Sequence, residues 1–497
     1  MIKVDHDLTP IENMSEENVR IKNALEFIRQ KAAEFGANND KEFNKSYIER
    51  NNTKLNVLKE KGAFFGFIHP EEESGGQFHD FSLTIFPCIE NKPWLVCLGI
   101  GSNGFKNDYE LATYPGVRRL FSKLINEKGF CKSDFTDIET SLPKNIANSE
   151  DLEQIKNTIK IYTKVLPVCQ IVQNPESEEG RKIIAGFVAA YAKLRNWPSN
   201  KEHHKAISDA LEPFLDEENI DEVEEIKNLL IERKYVVLQG SPGTGKTRTA
   251  KKIAEKIKAK TFFTQFHAET SFSDFIFGIR PDLNRNELIY KENLGLFTTA
   301  LKYAKENCNE KVILIIDEIN RANLSNVLGP IFYLFEHKMD TWDVEIEISP
   351  DFKINKLPDN FHVIATMNTA DRSLSVVDFA LRRRFAWYDL KPTPIHGEKK
   401  KLANLTVFKI NNSEEYFFLE DFSKINEIFN WYASSNELSL QPGQGYFIAK
   451  SEEEMKSRIQ YEIFPLIKEY LQEGLVRNAK EEFNNYFTSR INQSLFE

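Results

Sequence analysis

The stretch Tyr235-Val-Val-Leu-Gln-Gly240-Ser-Pro-Gly-Thr-Gly-Lys246-Thr247 decides how the rest of the chain is read. Tyr235–Leu238 is an uncharged run of the kind a buried strand needs, and it passes directly into a complete G-x-x-x-x-G-K-[ST] pattern. Ala250, Ile253, Ala254 and Ile257 follow at helical spacing, so strand, loop and helix stand in the required order. Gly240, Gly243 and Gly245, with Ser241, Pro242 and Thr244 between them, let the backbone curl until successive N–H groups converge on one point. The helix N-terminus adds positive partial charge at that point. Such a loop binds a nucleotide triphosphate: Lys246 offers a point charge to the β- and γ-phosphates, and the Thr247 hydroxyl can ligate Mg²⁺.

Further along, Lys311 precedes the apolar run Val312–Ile316, which ends in Asp317-Glu318. A buried strand that delivers two carboxylates at its C-terminal tip matches the place where an open α/β sheet binds its ligand. Adjacent acids there are costly unless a cation compensates them, and nucleotide-bound Mg²⁺ does so. Asp317 then orients the metal's water shell and Glu318 serves as general base toward the attacking water. A third strand, Phe361–Thr366, runs into Met367-Asn368-Thr-Ala-Asp371-Arg372-Ser373, which sets Asn368 beside the acids, where it can hydrogen-bond the γ-phosphate or the attacking water. The spacing predicts a helix over Val376–Arg384 that closes on Arg382-Arg383-Arg384, before a strand over Phe385–Leu390. Three arginines ending a helix either complement its dipole or supply an arginine finger.

At 497 residues the chain is too long for one hydrophobic core. Hydrophobic residues make up 41% and charged residues 28%, which excludes collagen-like or wholly disordered chains. The formal charge of −10 gives no global basic field for nucleic acid, so any such binding is local or depends on assembly. Five scattered cysteines without CxxC spacing argue against a disulfide framework or a thiolate zinc site. No apolar run approaches the ~20 residues of a membrane helix. These features together lead us to expect a soluble cytoplasmic protein with no membrane partner.

The front of the chain reads as an α+β domain over residues 1–200. A helix is expected over Asn18–Phe35, short strands at Ala63–Ile68, Phe81–Ile85 and Trp94–Leu98, and helices at Gly116–Asn126, Asp151–Val165 and Arg181–Leu194. Acidic and basic side chains are near balance there. Phe64, Phe65, Phe67, Phe78, Phe81 and Trp94 can either stack on bases or fill a sheet core, and their alternation favours the core. A charged stretch of weak apolar periodicity, Pro198–Glu222, reads as a linker. Residues 201–395 then form the nucleotide-binding core and 396–497 a helical lid, its main helix expected over Met455–Leu471.

Gly240–Thr247, Asp317-Glu-Ile-Asn-Arg-Ala-Asn323, Met367–Leu374 and Val377–Phe385 resemble AAA+ motors of the McrB type, the GTP-driven subunits of modification-dependent restriction systems. The resemblance covers residues 222–475. It implies an AAA+ (ASCE P-loop) parallel sheet with a C-terminal helical lid. Lys246 and Thr247 are implied to hold nucleotide and Mg²⁺, Asp317 and Glu318 to be the acidic pair, and Asn368 the sensor. Asp371 and Arg372 fall in the signature loop, while Arg321, Arg383 and Arg384 are implied to reach a neighbouring subunit's nucleotide. A hexameric ring, a separate McrC-like endonuclease subunit, and DNA, often with modified cytosine, recognised through residues 1–200 are implied as well. Gly443-Gln-Gly-Tyr-Phe447 departs from the family's Gly-His-Ser-Tyr-Phe at Gln444 and Gly445.

The residues give no independent support for GTP over ATP, because no Asn-Lys-x-Asp tetrapeptide is present; only the resemblance favours GTP. A protein-remodelling ATPase with no DNA role, and a nucleotide-gated binding module, share the same loop and acids. A neighbouring nuclease, and hydrolysis stimulated by it or by DNA, separate restriction from those alternatives.

Overall fold

The computed structural model describes residues 10–39, 45–54, 57–58, 62–72, 78–89, 91–214, 221–282, 290–336, 345–370, 379–402, 405–410 and 413–496. Its contacts divide the chain into two compact units, Met1–Glu217 and Glu218–Glu497. Among the described residues no helix is long and apolar enough to cross a membrane.

The front unit is built on a six-stranded sheet. Its strands are β1 (Ile48–Asn52), β2 (Phe64–Ile68), β3 (Phe81–Phe86), β4 (Trp94–Ile100), β5 (Gly129–Cys131) and β6 (Val168–Val172), ordered β1-β2-β3-β4-β6-β5. Every neighbouring pair is antiparallel. All seven residues of β4 are buried, as expected of a central strand covered on both faces. Helix Glu178–Leu194 packs on β3 and β4 and starts at Ser177, whose side chain accepts from Gly180 N. Phe65, Phe67, Phe81 and Trp94 are fully buried, so these aromatics are sheet core rather than a base-stacking surface. Phe64 and Phe78 are only partly buried, and the Arg50 guanidinium lies over the Phe78 ring at 4.1 Å. The stretch expected to be a linker is instead largely ordered: Lys201–Leu211 is a helix, capped by Asn200, that buries Ile207 and Leu211. Two apolar residues one turn apart suffice to dock it, too few to register as periodicity.

The second unit carries a five-stranded sheet of β7 (Tyr235–Gly240), β8 (Lys260–Gln265), β11 (Val312–Asp317), β14 (Phe361–Asn368) and β15 (Ala386–Asp389), ordered β15-β7-β14-β11-β8. All its pairings are parallel. Alternation splits these strands between two cores. Val237, Leu314, Ile316, Val363 and Ala365 join Phe297, Ala300 and Leu301 of helix Leu296–Glu306 on one face. Val236, Leu238, Ile313, Ile315 and Ile364 join Ile226 and Leu230 of helix Glu222–Arg233, and Ala250 and Ile253 of helix Lys246–Ile257, on the other. The result is a three-layer α/β sandwich, the AAA+ arrangement. Two hairpins, β9 (Phe277–Pro281) with β10 (Tyr290–Leu294) and β12 (Ile346–Ser349) with β13 (Phe352–Ile354), extend from this frame.

The lid has its own core, centred on Phe417, Phe422, Ile425, Phe447, Ile463 and Phe487. It is not purely helical: β16 (Glu398–Leu402), β17 (Leu405–Lys409), β18 (Tyr416–Phe418) and β19 (Ile448–Ala449) form a small antiparallel sheet. The expected main helix runs from Glu452–Arg458 through a π turn at Ile459–Ile463 into Phe464–Gln472. Pro465 explains the π turn, since it brings no N–H and its ring clashes with the preceding turn of a regular helix. Inside the lid, buried Asp421 accepts from Tyr486 Oη at 2.9 Å and Arg490 Nε at 2.8 Å.

Candidate active site

The phosphate loop leaves the C-terminal tip of β7, which lies between β15 and β14. Gly243 and Gly245 take φ of 82° and 83°, a left-handed backbone that an L side chain rarely adopts, and Gly245 caps helix Lys246–Ile257. The Lys246 side chain is buried, with Nζ donating to Gly240 O at 3.0 Å and Ser241 O at 2.8 Å. Burial pulls its pKa down to about 8, and the charges of Asp317 and Glu318 oppose that shift.

Parallel pairing sets β11 beside β14, and β14 beside β7, so the tips of three strands meet at the loop. Asp317 Oδ1 accepts from Thr247 Oγ1 and from Thr366 Oγ1, each at 2.6 Å. Thr366 Oγ1 in turn accepts from Glu318 N at 3.0 Å. Glu318 itself sits at φ 53°, ψ 49°; a glutamate in this left-handed region costs on the order of 1 kcal/mol. That local strain turns the chain off β11 immediately after Asp317. The Glu318 carboxylate is gripped by Arg321 Nε at 2.6 Å and Gln265 Nε2 at 3.2 Å. Asn368 pairs in register with Gly240, and the next residue ties the two loops together through Thr369 N donating to Gly240 O at 3.1 Å.

Thr247 and Asp317 present a hydroxyl and a carboxylate to one point, an all-oxygen set that suits a hard cation such as Mg²⁺ shared with phosphate oxygens. Among the described residues no cluster of three or more His, Cys, Asp or Glu side chains forms a metal site of its own.

Arg383 and Arg384, unlike Arg321, meet a different carboxylate. Helix Phe379–Arg384 directs Arg383 Nη2 and Arg384 Nη2 to Glu336 Oε1, at 2.8 and 2.6 Å. The Arg384 side chain is buried and lies 5.6 Å from the Phe332 ring centre, whereas the Arg383 side chain is 67% exposed. Asp371 and Arg372 lie outside the described residues. Sequence reading gave no role to Thr366 or Gln265. Thr366 was detectable as a hydroxyl within a strand buried on both faces; Gln265, at an exposed position of β8, carries no comparable signal.

Residues 235–385 match the AAA domain family described as its dynein-related subfamily. The chain is 30% identical over 425 residues to the EcoKMcrB subunit of the type IV methyl-directed restriction enzyme of Escherichia coli K12, covering 78% of this chain and 88% of that protein. It is also 30% identical over 189 residues to the BsuMI component YdiS, a type II restriction enzyme component of Bacillus subtilis 168, covering 30% of this chain and 55% of that one. Among solved structures, the Holliday junction branch migration motor RuvB of Thermotoga maritima is 22% identical over 37% of this chain and 48% of its own, with a TM-score of 0.21. That likeness is too weak to bear on function. A three-layer sheet, a complete phosphate loop facing a strand-tip acid pair, and a relative matched along most of its length place this chain in the McrB family of AAA+ proteins.

Proposed function

We propose that the protein is the nucleoside-triphosphate-hydrolysing motor subunit of a McrBC-like, modification-dependent DNA restriction complex, with GTP as its fuel. The observation that carries this reading is the meeting of Thr247, Asp317 and Thr366 in one hydrogen-bonded knot beside the phosphate loop. Lys246 neutralises the β- and γ-phosphates once it leaves the loop carbonyls. Thr247 and Asp317 hold Mg²⁺, which when bound supplies positive charge to the phosphate oxygens. Glu318, oriented by Arg321 and Gln265, takes the proton of the attacking water. Asn368, beside Gly240, senses the γ-phosphate. Arg383, the exposed member of its pair, serves a neighbouring copy's nucleotide in a hexameric ring, and Arg384 holds the helix that presents it.

The EcoKMcrB name supports restriction as the biological setting, with residues 1–200 reading modified DNA and a separate endonuclease subunit cutting it. The decisive experiment measures GTP and ATP turnover by the purified chain with Mg²⁺, with and without DNA and a McrC-like endonuclease subunit. GTP hydrolysis stimulated by the endonuclease is expected. Equal or faster ATP turnover overturns the choice of fuel, and no turnover of either nucleotide overturns the motor itself.

A further inference from the structure

The carbonyls of the phosphate loop are engaged one after another by this chain. Gly240 O accepts from Thr369 N at 3.1 Å and Ser241 O from Thr244 Oγ1 at 2.9 Å. The next three turn to a single stretch of the lid. Pro242 O accepts from Gly443 N at 2.9 Å, Gly243 O from Gly445 N at 2.8 Å, and Thr244 O from the Gln444 side-chain Nε2 at 2.9 Å. In a trans peptide the C=O and N–H of one unit point opposite ways. Holding these three carbonyls toward the lid therefore turns the N–H groups of Gly243, Thr244 and Gly245 to the opposite side, where the triphosphate binds.

The approach is backbone against backbone. A Cβ at position 443 would stand 2.2 Å from Gly243 C and 2.3 Å from Thr244 N, so only glycine fits. The Gln444 carboxamide also accepts from Thr393 N at 3.3 Å, which joins loop, lid and the segment after β15 through one side chain.

We propose that Gln444 is a positioning residue for nucleotide binding, fixing with the N–H groups of Gly443 and Gly445 the direction of the phosphate-loop peptides, so that lid placement and triphosphate affinity are coupled. The proposal rests on the phosphate-loop reading above. Displacing the lid frees three carbonyls and lets their peptides rotate. By reciprocity, a bound triphosphate that needs the N–H groups inward draws the lid onto the loop.

The test uses the full chain and a fluorescent GTP analogue. It compares Gln444→Ala, Gln444→Glu (same length, no donor) and Gln444→His (an N–H restored) for analogue Kd, saturated turnover and thermal midpoint without nucleotide. Leaving the buried Thr244 carbonyl unmet predicts a Kd about tenfold weaker for the Ala and Glu variants. Saturated turnover stays within about twofold, the midpoint falls by no more than a few degrees, and Gln444→His recovers most of the affinity. Unchanged Kd for both Ala and Glu overturns the proposal, as does a lowered midpoint accompanied by equal losses in affinity and turnover. Lys246→Ala separates the two levels. If it loses the analogue while Gln444→Ala and Gln444→Glu keep it, only this inference fails; if it binds like the parent, the phosphate-loop reading fails with it.

Discussion

Arg321 Nε stands 2.6 Å from Glu318 Oε2, an ion pair between residues three apart that straddles the 3₁₀ turn after β11. Gln265 holds the same oxygen from β8, so the carboxylate is fixed from two directions while its backbone sits in a strained conformation. In the isolated chain this arginine serves its own Glu318. Glu318→Gln keeps the shape and removes the proposed base: turnover should fall by about 10²–10⁴ with nucleotide binding intact. Arg321→Ala leaves the base free to swing and should lower kcat by about 10- to 100-fold with little change in KM. Steady-state kinetics on both variants check this; a KM effect that dominates for Arg321→Ala would mean the arginine acts on bound nucleotide instead.

Thr366 is the hub between the two acids, donating to Asp317 and accepting from Glu318 N. Thr366→Val preserves the shape and deletes the hydroxyl, leaving a half-buried carboxylate oxygen and an N–H each one partner short. A stability loss of about 1–3 kcal/mol is expected, with a higher Mg²⁺ requirement for hydrolysis. Denaturant titration and Mg²⁺ dependence of turnover measure both; parent-like values in each would remove Thr366 from the site.

Lys246 titrates within reach of experiment. Its folded pKa of about 8 lies below the ordinary lysine value of 10.5, so between those values the unfolded chain binds more protons and folding stability rises with pH. Nucleotide affinity runs the other way. A triphosphate needs the ammonium, so binding is accompanied by proton uptake and weakens by about tenfold per pH unit above pH 8. Calorimetry in buffers of different ionisation enthalpy reads the proton uptake directly. Lys246→Arg, whose guanidinium stays charged, should flatten the profile, and a parent-like slope in that variant would assign the effect to another group.

Arg383 shares Glu336 with Arg384 yet keeps its side chain largely in solvent. If it completes a neighbour's site, Arg383→Ala and Lys246→Ala subunits, each inactive alone, should regain turnover when mixed, because some interfaces then pair an intact loop with an intact arginine. Turnover across mixing ratios gives the answer, and no recovery at any ratio would argue for action within one subunit. Arg384→Ala differs in kind. It removes a buried cation packed near Phe332, so a lower thermal midpoint should accompany any kinetic loss.

The chain's own order determined the loop at Gly240–Thr247, the acids at Asp317-Glu318, a strand over Phe361–Thr366 leading to Asn368, and the uninterrupted apolar runs that a parallel sheet buries. Each is written in a few consecutive residues, because backbone curling, strand alternation and helix spacing are local physics. Only tertiary structure decided which strand tips meet. Thr366 and Gln265 reach the acids through the order β14-β11-β8, Glu336 gathers two arginines from 47 residues away or nearly so, and Gln444 meets Thr244 across 200 residues. A lone hydroxyl or amide shows no period and no motif. Its partner is fixed by sheet register and by a close glycine approach, both products of long-range packing that no short window of sequence contains.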